Sequence, residues 1–279
     1  MHNSLNHIFR VVWNHNLGAW SVAPEIAKGK GKSNNSTRGQ TPAARCVPLL
    51  LLLGSATTWA ELPQGGNIST GQGQLTYQGD NLHVQQHSDK LALDWQSFSV
   101  GKDNKVVFNQ PDAQSVALNR VLGADVSRIQ GAIKANGQVF LLNPNGVLFS
   151  PTAQVNTGGL VASTLELSND DFMAGNFQFE GDSTAAITNQ GEINVAEGGT
   201  IALIAATLVN EGSLQATSGN VLMGAGRKVT LDMGGPVKLR VDEGALNTLI
   251  EQGGAIRADG GRVYLTAGAA GKQIGRAHV

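Results

Sequence analysis

Two histidines four residues apart, His83 and His87, are the first residues whose spacing could do chemistry, since i and i+4 imidazoles on a helix can share a metal ion. Their context argues otherwise. Leu82-His83-Val84-Gln85 alternates apolar and polar residues as a strand does, and a strand does not bring i and i+4 side chains onto one ion. The carboxylate pairs Asp170-Asp171 and Asp242-Glu243 could hold calcium weakly, but adjacent acids are more often solvated turn charges. Asn67-Ile68-Ser69 has the form of a glycosylation sequon. No Gly-x-Ser-x-Gly elbow, phosphate-binding loop, Cys-x-x-Cys or His-Glu-x-x-His is present, so neither catalytic nor metal-ligating residues are assigned and no cofactor is expected. A secreted carbohydrate-active enzyme would need carboxylates and a basic residue gathered on one face, and no such set can be assembled. The expectation is a protein that is not an enzyme.

The elements that would carry these residues are short strands in a repeat. Gly191-Glu192-Ile193-Asn194-Val195 and Gly199-Thr200-Ile201-Ala202-Leu203 form a pair of phrases. The pair returns at Gly212 and Gly219 and again at Gly254 and Gly261, with an earlier copy at Gly131 and Gly137. The steps from 191 to 212 to 254 are 21 residues and then twice 21. A fixed period of this size marks stacked coils, because one such strand pair cannot cover its own apolar face. The predicted fold class is all-β: a parallel β-helix with strands about 4.8 Å apart between coils. A β-sandwich also has short strands between turns but has no reason to keep this phase. The repeat glycines are expected at sharp turns with positive φ. The composition suits a narrow interior of small aliphatic side chains, with 36 glycines, 5% aromatic and 15% charged residues.

Two stretches break the pattern. Residues 170–182, with Phe172, Phe177 and Phe179, are predicted to form a hairpin on the flank of the solenoid, and residues 232–249 occupy a missing repeat between 212 and 254. Such extra-helical segments have strand edges that a partner could use. Asp94-Trp95 with Phe98 and Val100 is an apolar cluster expected to cap the open N-terminal end, Trp95 and Phe98 supplying the bulk. Asn143-Pro144-Asn145-Gly146 is turn chemistry, with asparagine and glycine suited to left-handed backbone; contact with a partner is the alternative role. Asn119-Arg120 is either a buried polar ladder or a charge facing a partner.

The first 60 residues are a targeting region. Leu49 to Leu53 lies in an apolar run from Cys46 to Ala56, preceded by Arg38 and Arg45 and followed by Thr58-Trp59-Ala60. That is a secretory signal cleaved after Ala60, with an apolar run too short to span a bilayer permanently. The only cysteine, Cys46, leaves with it. Residues 1–60 hold six basic residues and one acid; subtracting them from the chain's 20 and 21 leaves 14 basic against 20 acidic, a net of −6. An acidic mature chain lacks the basic footprint of a nucleic-acid binder.

His7-Ile8-Phe9-Arg10-Val11-Val12-Trp13-Asn14, continuing through Gly18-Ala19-Trp20 to Glu25 and Lys30, resembles the extended signal peptide region of very large exported Gram-negative proteins. The following phrases resemble the secretion domain of filamentous haemagglutinin-type two-partner secretion exoproteins, closest to the high-molecular-weight adhesin branch: Asn67 to Gly71, Asp94 to Val100, Ala117 to Val121, Gly137 to Val147 and Gly158 to Leu165. The resemblance implies export by the Sec translocon and a right-handed β-helix with an N-terminal β cap. It also implies an outer-membrane TpsB-type barrel whose periplasmic POTRA domains capture the domain, and a host cell surface bound by downstream regions. On that reading Asn119, Arg120, Asn143, Pro144, Asn145 and Gly146 are candidates for transporter recognition or for templating the fold, residues 61–273 are the secretion domain, and 274–279 are a truncation or vector-derived tail. The function expected is delivery of a large surface adhesin, with a contact-dependent toxin or cytolysin as the alternative cargo. Mass spectrometry of the exported chain is expected to find Glu61 as its first residue; any start beyond Leu62 would refute the assigned cleavage.

Overall fold

The computed structural model describes residues 61–233, 237–245 and 247–268, together with two leader strands, β1 (Phe9–Asn14) and β2 (Ala19–Pro24), which pair antiparallel with Trp13 opposite Trp20. Cys46, the Ala60 junction and residues 274–279 lie outside the described residues.

Two short strands, β3 (Asn67–Thr70) and β4 (Gly73–Gln78), precede the coils. The first coil holds β5 (Asn81–Gln86) and β6 (Lys90–Trp95), with Val100 reaching a third side through a single bridge to Ile129. The second holds β7 (Lys105–Asn109), β8 (Val116–Val121) and β9 (Ser127–Ile129); the third, β10 (Ala132–Ala135), β11 (Gln138–Leu142) and β12 (Val147–Phe149). The fourth runs β13 (Gln154–Thr157), β14 (Gly159–Ser163), an excursion made of α1 (Asn169–Ala174) and β15 (Phe177–Glu180), then β16 (Ala186–Asn189). The fifth has β17 (Glu192–Val195), β18 (Thr200–Ala205) and β19 (Thr207–Asn210). The sixth has β20 (Ser213–Gln215), β21 (Asn220–Ala225), the hairpin β22 (Lys228–Asp232) and β23 (Lys238–Glu243), then β24 (Leu249–Gln252); β25 (Ala255–Arg257) and β26 (Arg262–Ala267) begin a seventh.

Each coil lays its strands parallel on those of the coil before, building three sheets around one core. Alternation along the strands sends every second residue inward. On the first face the column Leu82, Val106, Ile133, Val155, Ile193, Leu214 is enclosed, and on the second Leu91, Ala117, Val139, Leu160, Ile201, Val221. The second face is also covered from outside, so β18 is buried at every position and reads as a continuous apolar run.

The repeat glycines do not work as expected from sequence. Gly191, Gly199, Gly212, Gly219, Gly254 and Gly261 are absent from the residues with positive φ. They line two corners where one coil rests on the backbone of the last. A Cβ on Gly261 would lie 1.7 Å from the carbonyl oxygen of Gly219, one on Gly219 2.0 Å from that of Gly199, and one on Gly212 2.2 Å from that of Gly191. Backbone amides one residue on complete the contact: Asn220 donates to Gly199 O and Arg262 to Gly219 O, each at 3.0 Å. Lack of a side chain, and not freedom of φ, is what these positions require. In the second coil Ser115 holds the place of the corner glycine, and a small loop substitutes for it. The Ser115 hydroxyl and amide donate to Asp112 Oδ1 at 2.8 and 2.7 Å and hold its carboxyl below the usual carboxylate range.

The third face changes chemistry midway. Ile129 and Phe149 occupy one inward column, and the same column continues as Asn189, Asn210 and Gln252. Asn189 Nδ2 donates to Asn210 Oδ1 at 2.8 Å, and Asn210 Nδ2 to Gln252 Oε1 at 3.0 Å. Gly191 N donates to Asn189 Oδ1 and Gln252 Nε2 to Gly254 O, closing the ladder at both ends. Both asparagines are fully buried, so every group they bring inside has to find a partner there.

The step of twice 21 residues is also corrected. Ser213 pairs with Ala255 and Asn220 with Arg262, so one coil of the usual path separates Gly212 from Gly254, and no repeat is missing. The extra length is the β22–β23 hairpin, inserted after β21. The 170–182 stretch is likewise not a hairpin of its own. Ser168 caps a short helix by accepting from Asp171 N, Gly175 ends it at φ 81°, and β15 pairs with β22 from the other excursion. Together β15, β22 and β23 form an antiparallel sheet lying on the outside of the second face.

Gly219→Ala is expected to cost about 3 kcal/mol, the upper end for overpacking, because the coil spacing must open against backbone to admit a methyl group. Gly198→Ala, at φ 78° with nothing within 4 Å of the added Cβ, is expected to cost only about 1 kcal/mol, the strain of a left-handed alanine. Urea denaturation of the two variants measures the difference, and equal costs would contradict the close-approach explanation.

Candidate functional site

The N-terminal end of the stack is built around residues 61–78. Gly101 N donates to Glu61 O at 2.7 Å, Leu62 is buried, and Gln64 exchanges backbone hydrogen bonds with Ser97. β3 then runs antiparallel to β6 and β4 antiparallel to β5, so the direction of the strands reverses where the parallel stack stops. The Tyr77 hydroxyl donates to Pro63 O at 2.7 Å and ties the second cap strand to the entry segment; partial burial raises its phenol above the ordinary value. These residues are the lid. Trp95 and Phe98, expected as the cap itself, instead form the first core layer beneath it, edge to face with centroids 5.5 Å apart. Gly66 lies so close over the indole that a Cβ there would sit 2.4 Å from it.

An indole N–H buried in this layer needs an acceptor, and Asn119 supplies it: Trp95 Nε1 donates to Asn119 Oδ1 at 3.0 Å. The Asn119 amide nitrogen in turn donates to the carbonyls of Ala117 and Phe140, each at 3.2 Å. Asn119 is therefore an inward residue between Leu93 and Leu141, linking the first three coils, and in the folded domain it is closed to a partner. Its neighbour faces the other way. Arg120 Nη2 lies 2.7 Å from Asp94 Oδ1 and also donates to Asn169 Oδ1 at 3.1 Å. Only about a fifth of either charged side chain is exposed, so the pair is occupied in holding the cap-side strands to the fourth-coil excursion. Lys90 makes a second tie, its ammonium donating to the last carbonyls of α1 at Phe172 and Met173 and lying over the Phe172 ring.

Asn143 to Gly146 turn the chain from the second face to the third. Gly146 N donates to Asn143 O at 3.0 Å, and Asn145 N to Asn143 Oδ1 at 2.9 Å. Gly146 takes the positive φ, 109°, but Asn145 does not. Asn145 is held by its side chain, which donates to Gly123 O one coil earlier, as Asn143 Nδ2 does to Asp125 O and Ser127 Oγ. Pro144 O accepts from Ser183 Oγ of the next coil at 2.6 Å. The turn thus bonds to the coils on either side of it, a templating arrangement, with Asn143 buried and Pro144 and Asn145 partly exposed.

The other candidate groups are dispersed. His83 lies on β5 and His87 just past its end, about 13 Å further along at strand rise. Asp170 and Asp171 occupy the first turn of α1, where Asp171 bonds to Ser168; Asp242 bonds to Thr230 and Arg240, and Glu243 to Arg227. Ser69 of the sequon donates to Ala92 O. Among the described residues no group of three or more His, Cys, Asp or Glu is placed to hold a metal ion. The amide ladder and the helix caps were missed in the sequence reading although both leave a signal. Asn189-Gln190-Gly191, Asn210-Glu211-Gly212 and Gln252-Gly253-Gly254 put an amide two residues before each corner glycine, and Ser168 followed by Asp171 and Gly175 marks both ends of α1.

Asn119→Leu keeps the volume but strands the Trp95 indole N–H, and is expected to cost about 1–3 kcal/mol. Urea denaturation followed by tryptophan fluorescence checks this; an unchanged midpoint would remove Asn119 from the template.

Comparison with known proteins gives a consistent picture. Residues 60–278 match the family model of the TPS secretion domain, and residues 6–56 that of the Extended Signal Peptide of Type V secretion system. A heme/hemopexin-binding protein of Haemophilus influenzae strain Rd is 32% identical over 211 residues, covering 71% of this chain and 23% of that protein. A second heme/hemopexin-binding protein of Haemophilus influenzae is 43% identical over 100 residues, covering 36% of this chain and 11% of that protein. The crystal structure of the HMW1 secretion domain from Haemophilus influenzae is similar with a TM-score of 0.62 and 30% identity, covering 72% of this chain and 55% of that one.

Proposed function

Because this chain belongs to the TPS secretion domain family, we propose that its capped N-terminal coils are captured by the cognate transporter and then template the folding of a long exoprotein at the cell surface. The family fixes the coarser frame. This is the N-terminal secretion domain of a two-partner secretion exoprotein, exported across the periplasm of a Gram-negative bacterium and secreted at the cell surface through a TpsB-type outer-membrane partner.

The observation that carries the proposal is that the lid and the first layer are built from the first residues of the mature chain. Glu61, Leu62, Gln64, Trp95 and Asn119 need nothing beyond the third coil to complete their contacts. Every later coil meets a finished surface of backbone acceptors, and nearest-neighbour stacking then favours forward growth without nucleotide hydrolysis. Entry by the Sec translocon, capture by periplasmic POTRA domains and a role for Asn143, Pro144, Asn145 and Gly146 in that capture belong to the same proposal. So does the absence of catalysis.

The chain spans 23% and 11% of the curated relatives it matches, so the cargo is a separate question. The sequence phrases that resemble the high-molecular-weight adhesin branch support a surface adhesin that binds host cells through downstream regions. The two relatives named heme/hemopexin-binding protein support a second reading, in which the exoprotein captures heme or hemopexin. Binding of the complete exoprotein to immobilised hemopexin, against binding to epithelial cells, separates the two.

The transporter reading is tested by a pull-down of residues 61–273, folded and urea-unfolded, with the periplasmic domains of the cognate barrel. Saturable binding in which the two forms compete is expected. No binding of either form would overturn the reading.

A further inference from the structure

The fourth and sixth coils each leave the solenoid at the same corner, between the second and third faces, and their excursions meet. β15 from the fourth coil pairs antiparallel with β22 from the sixth: Phe177 with Leu231, Gln178 with Thr230, Phe179 with Val229, Glu180 with Lys228. The fifth coil makes no excursion and runs directly from β18 to β19 through Ala206. The antiparallel sheet passes over it, and Ala202 and Ile204 of the fifth coil share one buried apolar cluster with Phe140, Phe179, Val229 and Leu222. Phe140 is the centre of that cluster, with ring centroids 5.1 Å from Phe177, 6.3 Å from Phe172 and 6.5 Å from Phe179. The fit is close: a Cβ on Gly224 would lie 2.6 Å from Leu239, and one on Gly226 2.5 Å from Val241.

In a solenoid each coil is held by its immediate neighbours, so the stack can peel from its growing end one coil at a time. The excursion sheet is a bond of a different order, because it joins the fourth coil to the sixth. It also depends on chain order. α1 and β15 dock early, through Lys90 and Arg120 to the first two coils, but the partner strand of β15 belongs to a coil made later.

We propose that the two excursions form a latch, in which β22–β23 closes on α1–β15, traps the fifth coil beneath it and stops the folded stack from peeling back past the sixth coil. The latch deepens the templating reading, but it is a property of the folded chain and can be read without the transporter, so either can fail while the other stands. Its chemistry is apolar burial. The ion pairs at its rim, Lys228 with Glu180 and Arg227 with Asp182 and Glu243, are exposed to solvent and add little.

Residues 61–279 contain no cysteine, so within them a single engineered disulfide is unambiguous. Gly181 N donates to Arg227 O, which makes Gln178 and Thr230 a narrow, non-hydrogen-bonded pair of the kind a disulfide fits. In the exported chain carrying Gln178→Cys and Thr230→Cys, oxidation is expected to slow amide hydrogen exchange in β18, β19 and β21 by about tenfold or more, while β8 and β11 stay unchanged. Val229→Asp, which puts a carboxylate into the cluster, is expected to speed exchange in the same three strands. If Val229→Asp does not fold, the oxidised and reduced forms of the cysteine pair decide alone. Equal exchange in those two forms, or a change spread evenly over all coils, would overturn the latch.

Discussion

The whole structure depends on how closely one coil of backbone can lie on the next. At the glycine corners the carbonyl oxygen of one coil occupies the space where the following coil would carry a Cβ, and the amide one residue on is thereby brought into hydrogen-bonding range. That spacing sets the parallel register, and the register aligns the inward columns into a continuous core. A solenoid of small aliphatics has little area per coil to contribute, so the stack relies on contacts repeated faithfully at every level.

Two polar devices sit inside this apolar column, and each links several coils. Asn119 joins the indole above it to a carbonyl below it, so the lid, the first core layer and the third coil are stabilised together. The Asn189–Asn210–Gln252 ladder does the same for the fourth to sixth coils. A buried amide is unfavourable unless each of its groups is met, so these residues make neighbouring coils depend on one another in a way that interchangeable leucines would not. Outside the core, the Asp94–Arg120–Asn169 chain and Lys90 hold the fourth-coil excursion against the capped end.

The coil architecture was legible in the sequence because alternation and period are local: Ile193, Ile201, Leu214 and Val221 announce their own faces. What the glycines are for was not legible, since a corner that needs φ > 0 and a corner that needs an absent Cβ select the same residue. The double burial of the second face could have been read from the unbroken run Ile201 to Ala206, which has no polar side to give water. The excursions resisted for a different reason. Nothing near Phe177 or Phe179 specifies that their partner strand lies beyond a whole further coil, and long-range pairing of this kind has no local signature. Of the candidate site residues, Asn119 was placed correctly among its alternatives only by its burial, while the Asn143–Gly146 turn was identifiable from its residue types, though not its bonds to the coils on both sides.

The change of the third-face column from Ile129 and Phe149 to Asn189, Asn210 and Gln252 means that the coils carry addresses. An amide finds its complement only opposite another amide, and a phenyl ring only opposite an aliphatic or aromatic group. Moving the fifth coil into the place of the second would therefore bury Asn210 against hydrocarbon and leave it without a partner, although its backbone would stack as well as before. Repetition of the main chain makes the solenoid easy to extend, and the non-repetition of its interior makes each level acceptable in one position alone.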